Sequence, residues 1–243
     1  ANVSILLNNG NGTFLAPRVN TANDAVGITS GDFNGDGNID VVNGNSQLLL
    51  GNGNGTFQYR FYVGGSGNSA GVTAADFNND GKLDLAVGDM YEPSVRVFLG
   101  NGNGTFNSPF TAPTAASILH GVSSADINGD GKVDLLTSDG TSGTIGYFLG
   151  NGNGTFGVYQ TFSGAVSDSW DTNIGVGDLN GDGVNDVGAT GYGGGGLRLY
   201  ISNTTSSSTT TTIPATTFSL TTQAGARSAL TTLSDLLRLS PRR

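Results

Sequence analysis

The stretch Asp76-Phe77-Asn78-Asn79-Asp80-Gly81-Lys82-Leu83-Asp84 sets oxygen-bearing side chains at the first, third, fifth and ninth positions of one short loop. The same pattern stands at Asp32, Asn34, Asp36 and Asp40, at Asp126, Asn128, Asp130 and Asp134, and at Asp178, Asn180, Asp182 and Asp186. A glycine always fills the sixth position, where a sharp turn must bring the oxygens together. Four copies in register make a chance run of turn-forming residues a poor explanation. They also require the chain to be read as a repeat before anything else.

From first Asp to first Asp the loops step by 44, 50 and 52 residues. Between them recurs a second marker, the Leu-containing Asn-Gly-Asn-Gly-Thr-Phe turns that end at Phe14, Phe57, Phe106 and Phe156. Each period holds four short runs of β-branched and aromatic residues bounded by turn signals. In the second unit these predict strands over 71–77, 83–87, 94–99 and 105–111. A period of this length with strand content indicates propeller blades. The expectation is an all-β, β-propeller-type array of about four four-stranded blades over residues 1–201. The phase leaves a half unit at the front and a last unit without its outer strand. The segment 13–19 is one candidate to complete that last blade.

Composition supports this reading: 41 glycines without collagen spacing suit short strands and tight turns. The formal charge of -9 argues against a nucleic-acid partner held through phosphates. Most of the acidic residues lie in the loops, so the acidity reads as metal-site chemistry. Two carboxylates ~4 Å apart at an effective dielectric of 20 repel by about 4 kcal/mol, so such a loop needs a cation or must open. Oxygen-only donors favour Ca²⁺, about four ions in all. The seventh residue (Asn38, Lys82, Lys132, Val184) varies and is expected to offer its backbone carbonyl. An EF-hand would need Glu at the twelfth position, where this chain has Asn43, Val87, Thr137 and Ala189.

The Asp-Phe-Asn-x-Asp-Gly-x-x-Asp loops and Gly-Asn-Gly-Thr-Phe turns resemble the FG-GAP/VCBS repeats, the calcium-binding blades of integrin-α-like propellers. The likeness spans about residues 3–201. It implies a β-propeller with structural Ca²⁺, extracellular or at the cell surface, that binds other molecules.

Strand alternation puts the acidic loops and the Gly-Asn-Gly turns at one end of the blades and the other connections at the opposite end. Those connections hold Tyr91, Glu92, Trp170, Asp171 and Tyr192, which are candidates to bind a protein or glycan ligand. The alternative is that Trp170 and Tyr192 fill gaps between blades. Asn11, Asn54, Asn103 and Asn153 stand in Asn-Gly-Thr sequons, although a hairpin needs Asn-Gly regardless. Catalysis is not expected: His120 is the sole histidine, cysteine is absent, and the Asp pairs lie inside the metal loops.

Residues 202–222 are expected to form a Ser/Thr-rich linker, and 223–243, with helical spacing at Ala226, Ala229, Leu230, Leu233, Leu236 and Leu237, a short amphipathic helical tail. No run is long and apolar enough for a membrane span. The expected function is a calcium-stabilised binding, adhesion or surface-assembly module, self-associating through open strand edges. A lectin and the ancillary domain of a larger secreted enzyme are the alternatives.

Overall fold

The computed structural model describes residues 2–21, 27–64, 69–162, 173–190 and 197–202, and its described elements are all strands. The first unit is a two-stranded antiparallel sheet of β1 (Asn2–Ile5) and β2 (Arg18–Thr21). Three four-stranded meanders follow. They are β3 (Ile28–Gly31) to β6 (Phe57–Tyr62), with β4 (Asp40–Asn43) and β5 (Gln47–Gly51) between; β7 (Ser69–Ala75), β8 (Asp84–Asp89), β9 (Ser94–Phe98) and β10 (Phe110–Pro113); and β11 (Leu119–Ala125), β12 (Asp134–Asp139), β13 (Ile145–Phe148) and β14 (Gln160–Thr161). The last sheet has three strands, β15 (Asn173–Gly177), β16 (Asp186–Thr190) and β17 (Leu197–Tyr200).

The succession of two, four, four, four and three strands matches the phase read from the sequence. The segment proposed to complete the last blade does otherwise. Its strand, Arg18–Thr21, pairs with Asn2–Ile5, because the hairpin partner lies next to it in the chain. Residues 223–243 and all but the first of the 202–222 linker lie outside the described residues.

Blade boundaries differ from the expectation in one instructive place. The fourth strand of the second unit begins at Phe110, not at residue 105. Asn101 and Thr105 close the intervening loop through main-chain and side-chain bonds, and only Gly100 and Phe106 bridge across it. The β propensity of Thr105 and Phe106 is overridden by this local turn chemistry.

Central strands are covered on both faces, which explains their unbroken runs such as Asp84-Leu85-Ala86-Val87-Gly88-Asp89, all buried. The apolar clusters lie between successive sheets. Phe33, Val42 and Leu48 of the first blade pack with Val72, Leu85, Val87 and Phe98 of the second. Phe77, Ala86, Val95 and Val97 pack with Leu119, Leu135 and Phe148 of the third. Ile127, Leu136 and Ile145 pack with Val187, Ala189 and Tyr200 of the last. The innermost strands follow one another as β3, β7, β11 and β15. At Gly71 a Cβ would press on the backbone of Val122 at 3.0 Å, so a glycine permits this approach.

Candidate metal centres

Each acidic loop is a nest of Asx turns around its first Asp. In the first blade, Asp32 accepts from the Gly35, Asp36 and Gly37 amides at 2.7, 3.2 and 2.8 Å. Asn34 Oδ1 accepts from Asp36 N at 3.0 Å, and Asp36 Oδ1 from Asn38 N at 2.8 Å. The same bonds recur around Asp126, Asn128 and Asp130 and around Asp178, Asn180 and Asp182. Around Asp76, Asn78 and Asp80 all but the fourth-residue amide bond recur. Lys82 and Lys132, at the seventh position, reach back to Asp80 and Asp130 at 3.4 and 3.3 Å. The fourth residue is left-handed throughout, at φ of 74°, 59°, 75° and 80° for Gly35, Asn79, Gly129 and Gly181. Asn is the residue that replaces glycine there at least cost.

The ninth Asp plays a different part. Asp40, Asp84, Asp134 and Asp186 are at most 1% exposed. One oxygen of Asp84 accepts from Phe77 N at 2.8 Å and the other from Gly100 N at 2.8 Å. Asp40 does this with Phe33 and Gly51, Asp134 with Ile127 and Gly150, and Asp186 with Leu179 and Ser202. A single carboxylate therefore ties the acidic loop to the end of the third strand. The partner glycine is required by space: a Cβ on Gly100 would collide with the Leu83 carbonyl. The sequence signal for this tie in the three complete blades is the glycine just before the Asn-Gly-Asn-Gly turn, Gly51, Gly100 or Gly150, whereas Ser202 takes that place for Asp186.

The electrostatics divide within each loop. Asp36 and Asp80, exposed, are held below the ordinary carboxylate value chiefly by the Asn38 and Lys82 amides. Asp40 and Asp84 are raised, first by burial and further by the two other carboxylates of their loops, and Asp134 reaches about 6 for the same reasons. The carboxylates of one loop are thus within each other's field. Among the described residues, however, no three carboxylates or imidazoles close around a single point as a finished cage. Their first lone pairs are engaged by loop amides.

The acidic loops and the Gly-Asn-Gly turns do share one end of the blades, and they interlock between blades. Gly104 N donates to Phe33 O and Gly154 N to Phe77 O, both at 2.9 Å. Phe106 packs on Phe33 and Phe156 on Phe77, with ring centroids 6.0 and 5.6 Å apart. Asn79 Nδ2 reaches Gly152 O at 3.2 Å. The first and second acidic loops are therefore the seats on which the next blade's turn rests, a role that the spacing within one repeat does not reveal.

At the opposite end, Tyr91 is 68% exposed and Glu92 is exposed beside it in the β8–β9 turn. Asp89 holds this turn through the Tyr91 and Glu92 amides and pairs with Arg96 at 3.3 Å. Trp170, Asp171 and Tyr192 lie outside the described residues. His120 lies half-buried in β11 with its ring over Gly140. A cavity of about 490 Å³ opens at the acidic-loop end between the first two units, lined by Ile5, Leu7, Asn38, Ile39 and Phe57 among others.

Successive antiparallel blades, each with an acidic loop and an interlocking turn, define a β-propeller-type repeat protein. A family model for the FG-GAP-like repeat matches residues 1–43, 41–87, 84–137 and 126–189, and the chain belongs to that family. No curated protein matches it. Among solved structures, the chain resembles an Agrocybe aegerita lectin described as recognising non-reducing terminal N-acetylglucosamine. That likeness has a TM-score of 0.53 and 21% identity, over 76% of this chain and 54% of the lectin. It also aligns with the Photorhabdus luminescens Tc holotoxin pore at a TM-score of 0.42 and 17% identity, over 82% of this chain and 10% of the other. The chain thus spans about half of the lectin's length.

Proposed function

We propose that this chain is a calcium-stabilised, non-catalytic binding module that works outside the cell or at its surface. The observation that carries the proposal is the fourfold loop with its all-oxygen donor set. The fit to a hard cation is electrostatic as well as chemical: buried ninth-position carboxylates are pushed toward protonation beside two like charges, a condition that a divalent ion relieves. The side chains at positions one, three, five and nine, with the carbonyl at position seven, would hold the ion. Calcium would supply charge neutralisation that fixes the loop, and with it the seat for the next blade.

Scanning calorimetry tests this directly. Calcium is expected to raise the melting temperature well above that in EDTA, and equal values would sink the reading. Isothermal titration should find about four sites, one per loop.

A glycan is the ligand class with a specific argument behind it, namely the fold shared with a sugar-recognising lectin and the exposed Tyr91–Glu92 turn. A glycan array gives binding if the reading holds. Tyr91→Ala would then weaken it, whereas Phe57→Ala would do so if the ligand sits in the cavity at the acidic-loop end. Adhesion to a protein partner, self-assembly, and service as an ancillary domain of a secreted enzyme stand behind the glycan reading.

A further inference from the structure

The four Gly-Asn-Gly-Thr-Phe turns have one local sequence and two chemical situations. In each, the Asn side-chain carbonyl accepts two bonds from the Thr two residues on. Asn54 Oδ1 receives Thr56 N at 3.0 Å and Thr56 Oγ1 at 2.6 Å. Asn11, Asn103 and Asn153 receive the same pair from Thr13, Thr105 and Thr155. Two donors on one carbonyl oxygen polarise it and stabilise negative charge developing there. The adjacent nucleophile is the backbone nitrogen of the following glycine, whose lack of a Cβ leaves the approach open.

That nitrogen is where the turns differ. The Gly104 and Gly154 amides are bonded to the Phe33 and Phe77 carbonyls of the preceding acidic loops. Among the described residues, the Gly12 and Gly55 amides have no such bond. Five other Asn-Gly pairs have the glycine amide engaged: Gly35, Gly129 and Gly181 by Asp32, Asp126 and Asp178, Gly10 by Asn8, and Gly44 by the Gly27 carbonyl. Gly53, Gly102 and Gly152 have no amide bond among the described residues. There, however, Asn52, Asn101 and Asn151 donate from Nδ2 to a Thr hydroxyl and lack the paired donors on the side-chain carbonyl.

We propose that Asn54 and Asn11 are sites of spontaneous succinimide formation in this chain, and that blade docking protects the equivalent Asn103 and Asn153. The glycine nitrogen loses its proton to solvent base and attacks the Asn Cγ. The new C–N bond closes the five-membered ring, and the side-chain nitrogen leaves as ammonia. Water then opens the ring at either carbonyl, leaving aspartate or isoaspartate with one added negative charge. At Asn54 the change falls beside Arg18, whose Nη1 donates to the Asn54 main-chain carbonyl at 2.8 Å. Ring closure at these turns needs neither calcium nor any ligand. Protection comes from the latch, so a longer chain that seated another acidic loop against Asn54 would protect it too.

Identical local sequence makes the test internally controlled. The full chain is aged in mildly alkaline buffer, and the four turns are followed by peptide mass spectrometry with isoaspartate-specific labelling. Asn11 and Asn54 are expected to convert roughly fivefold or more faster than Asn103 and Asn153, the factor one ordinary hydrogen bond supplies. In urea the four rates should converge. Phe33→Leu, which loosens only the first latch, should speed Asn103 and leave Asn153 as reference. Equal rates at all four turns in the folded protein would overturn the proposal, as would Asn103 and Asn153 converting first.

Discussion

At the scale of single residues, the ninth-position Asp carries more of the fold than its neighbours do. Asp84→Ala leaves two buried amides, Phe77 N and Gly100 N, without acceptors, and should cost roughly 2–5 kcal/mol. Asp80→Ala removes an exposed loop carboxylate and should be nearly neutral in EDTA, but costly in calcium. Urea denaturation of both variants with and without metal separates the two roles. The oxygen spacing made the loops legible in the sequence. The amide-binding role of the ninth Asp was not, because its downstream partner lies eleven residues on for Asp40 and sixteen for the other three. Asp139 offers a pH readout away from the loops. Burial raises its carboxyl, but bonds from Thr141, Ser117 and Ser142 outweigh that and hold it below the ordinary value of 3.8. Its stabilisation is therefore complete above that value and is lost as pH falls through the lower, folded one. Asp139→Asn should cost about 1–2 kcal/mol at neutral pH and flatten this acid limb, as measured by thermal melts across pH.

At the scale of elements, the junction between blades is a Phe pair with a backbone bond beside it. Phe156→Ala deletes contacts to both Phe77 and Phe148, and should destabilise by about 1–3 kcal/mol. Hydrogen exchange should show the Gly154 amide losing protection while Gly104, seated on Phe33, keeps its own. The second and third strands of each blade were readable because apolar runs and turn glycines bound them. The start of the fourth strand was misplaced because Thr105 and Phe106 have strand propensity but serve a turn. The Phe at the end of each turn read as hairpin punctuation, since its ring partner belongs to another repeat.

At the scale of the whole molecule, apolar clusters sit between neighbouring sheets, so stability is shared out along a line. Leu135→Ala, in the buried centre of the third blade, should cost about 2–5 kcal/mol. Amides of β12 and β13 are expected to lose exchange protection before those of β4 and β5, and simultaneous loss would mean that the array unfolds as one unit. The number and phase of the blades were legible because the loops mark each period. The surfaces at which a ligand would sit were not, since connections that vary from repeat to repeat carry no internal pattern to read.

The turn that rests on the preceding acidic loop also governs how such a gene can grow. The two junctions between the complete blades each join residues from two consecutive periods, and Phe33 meets Phe106 as Phe77 meets Phe156. Unequal recombination that adds or removes one whole period, at whatever codon the break falls, reunites the same ring pair and the same backbone bond. Repeat number is thus free to drift by crossing-over, whereas the two faces of the junction must change together.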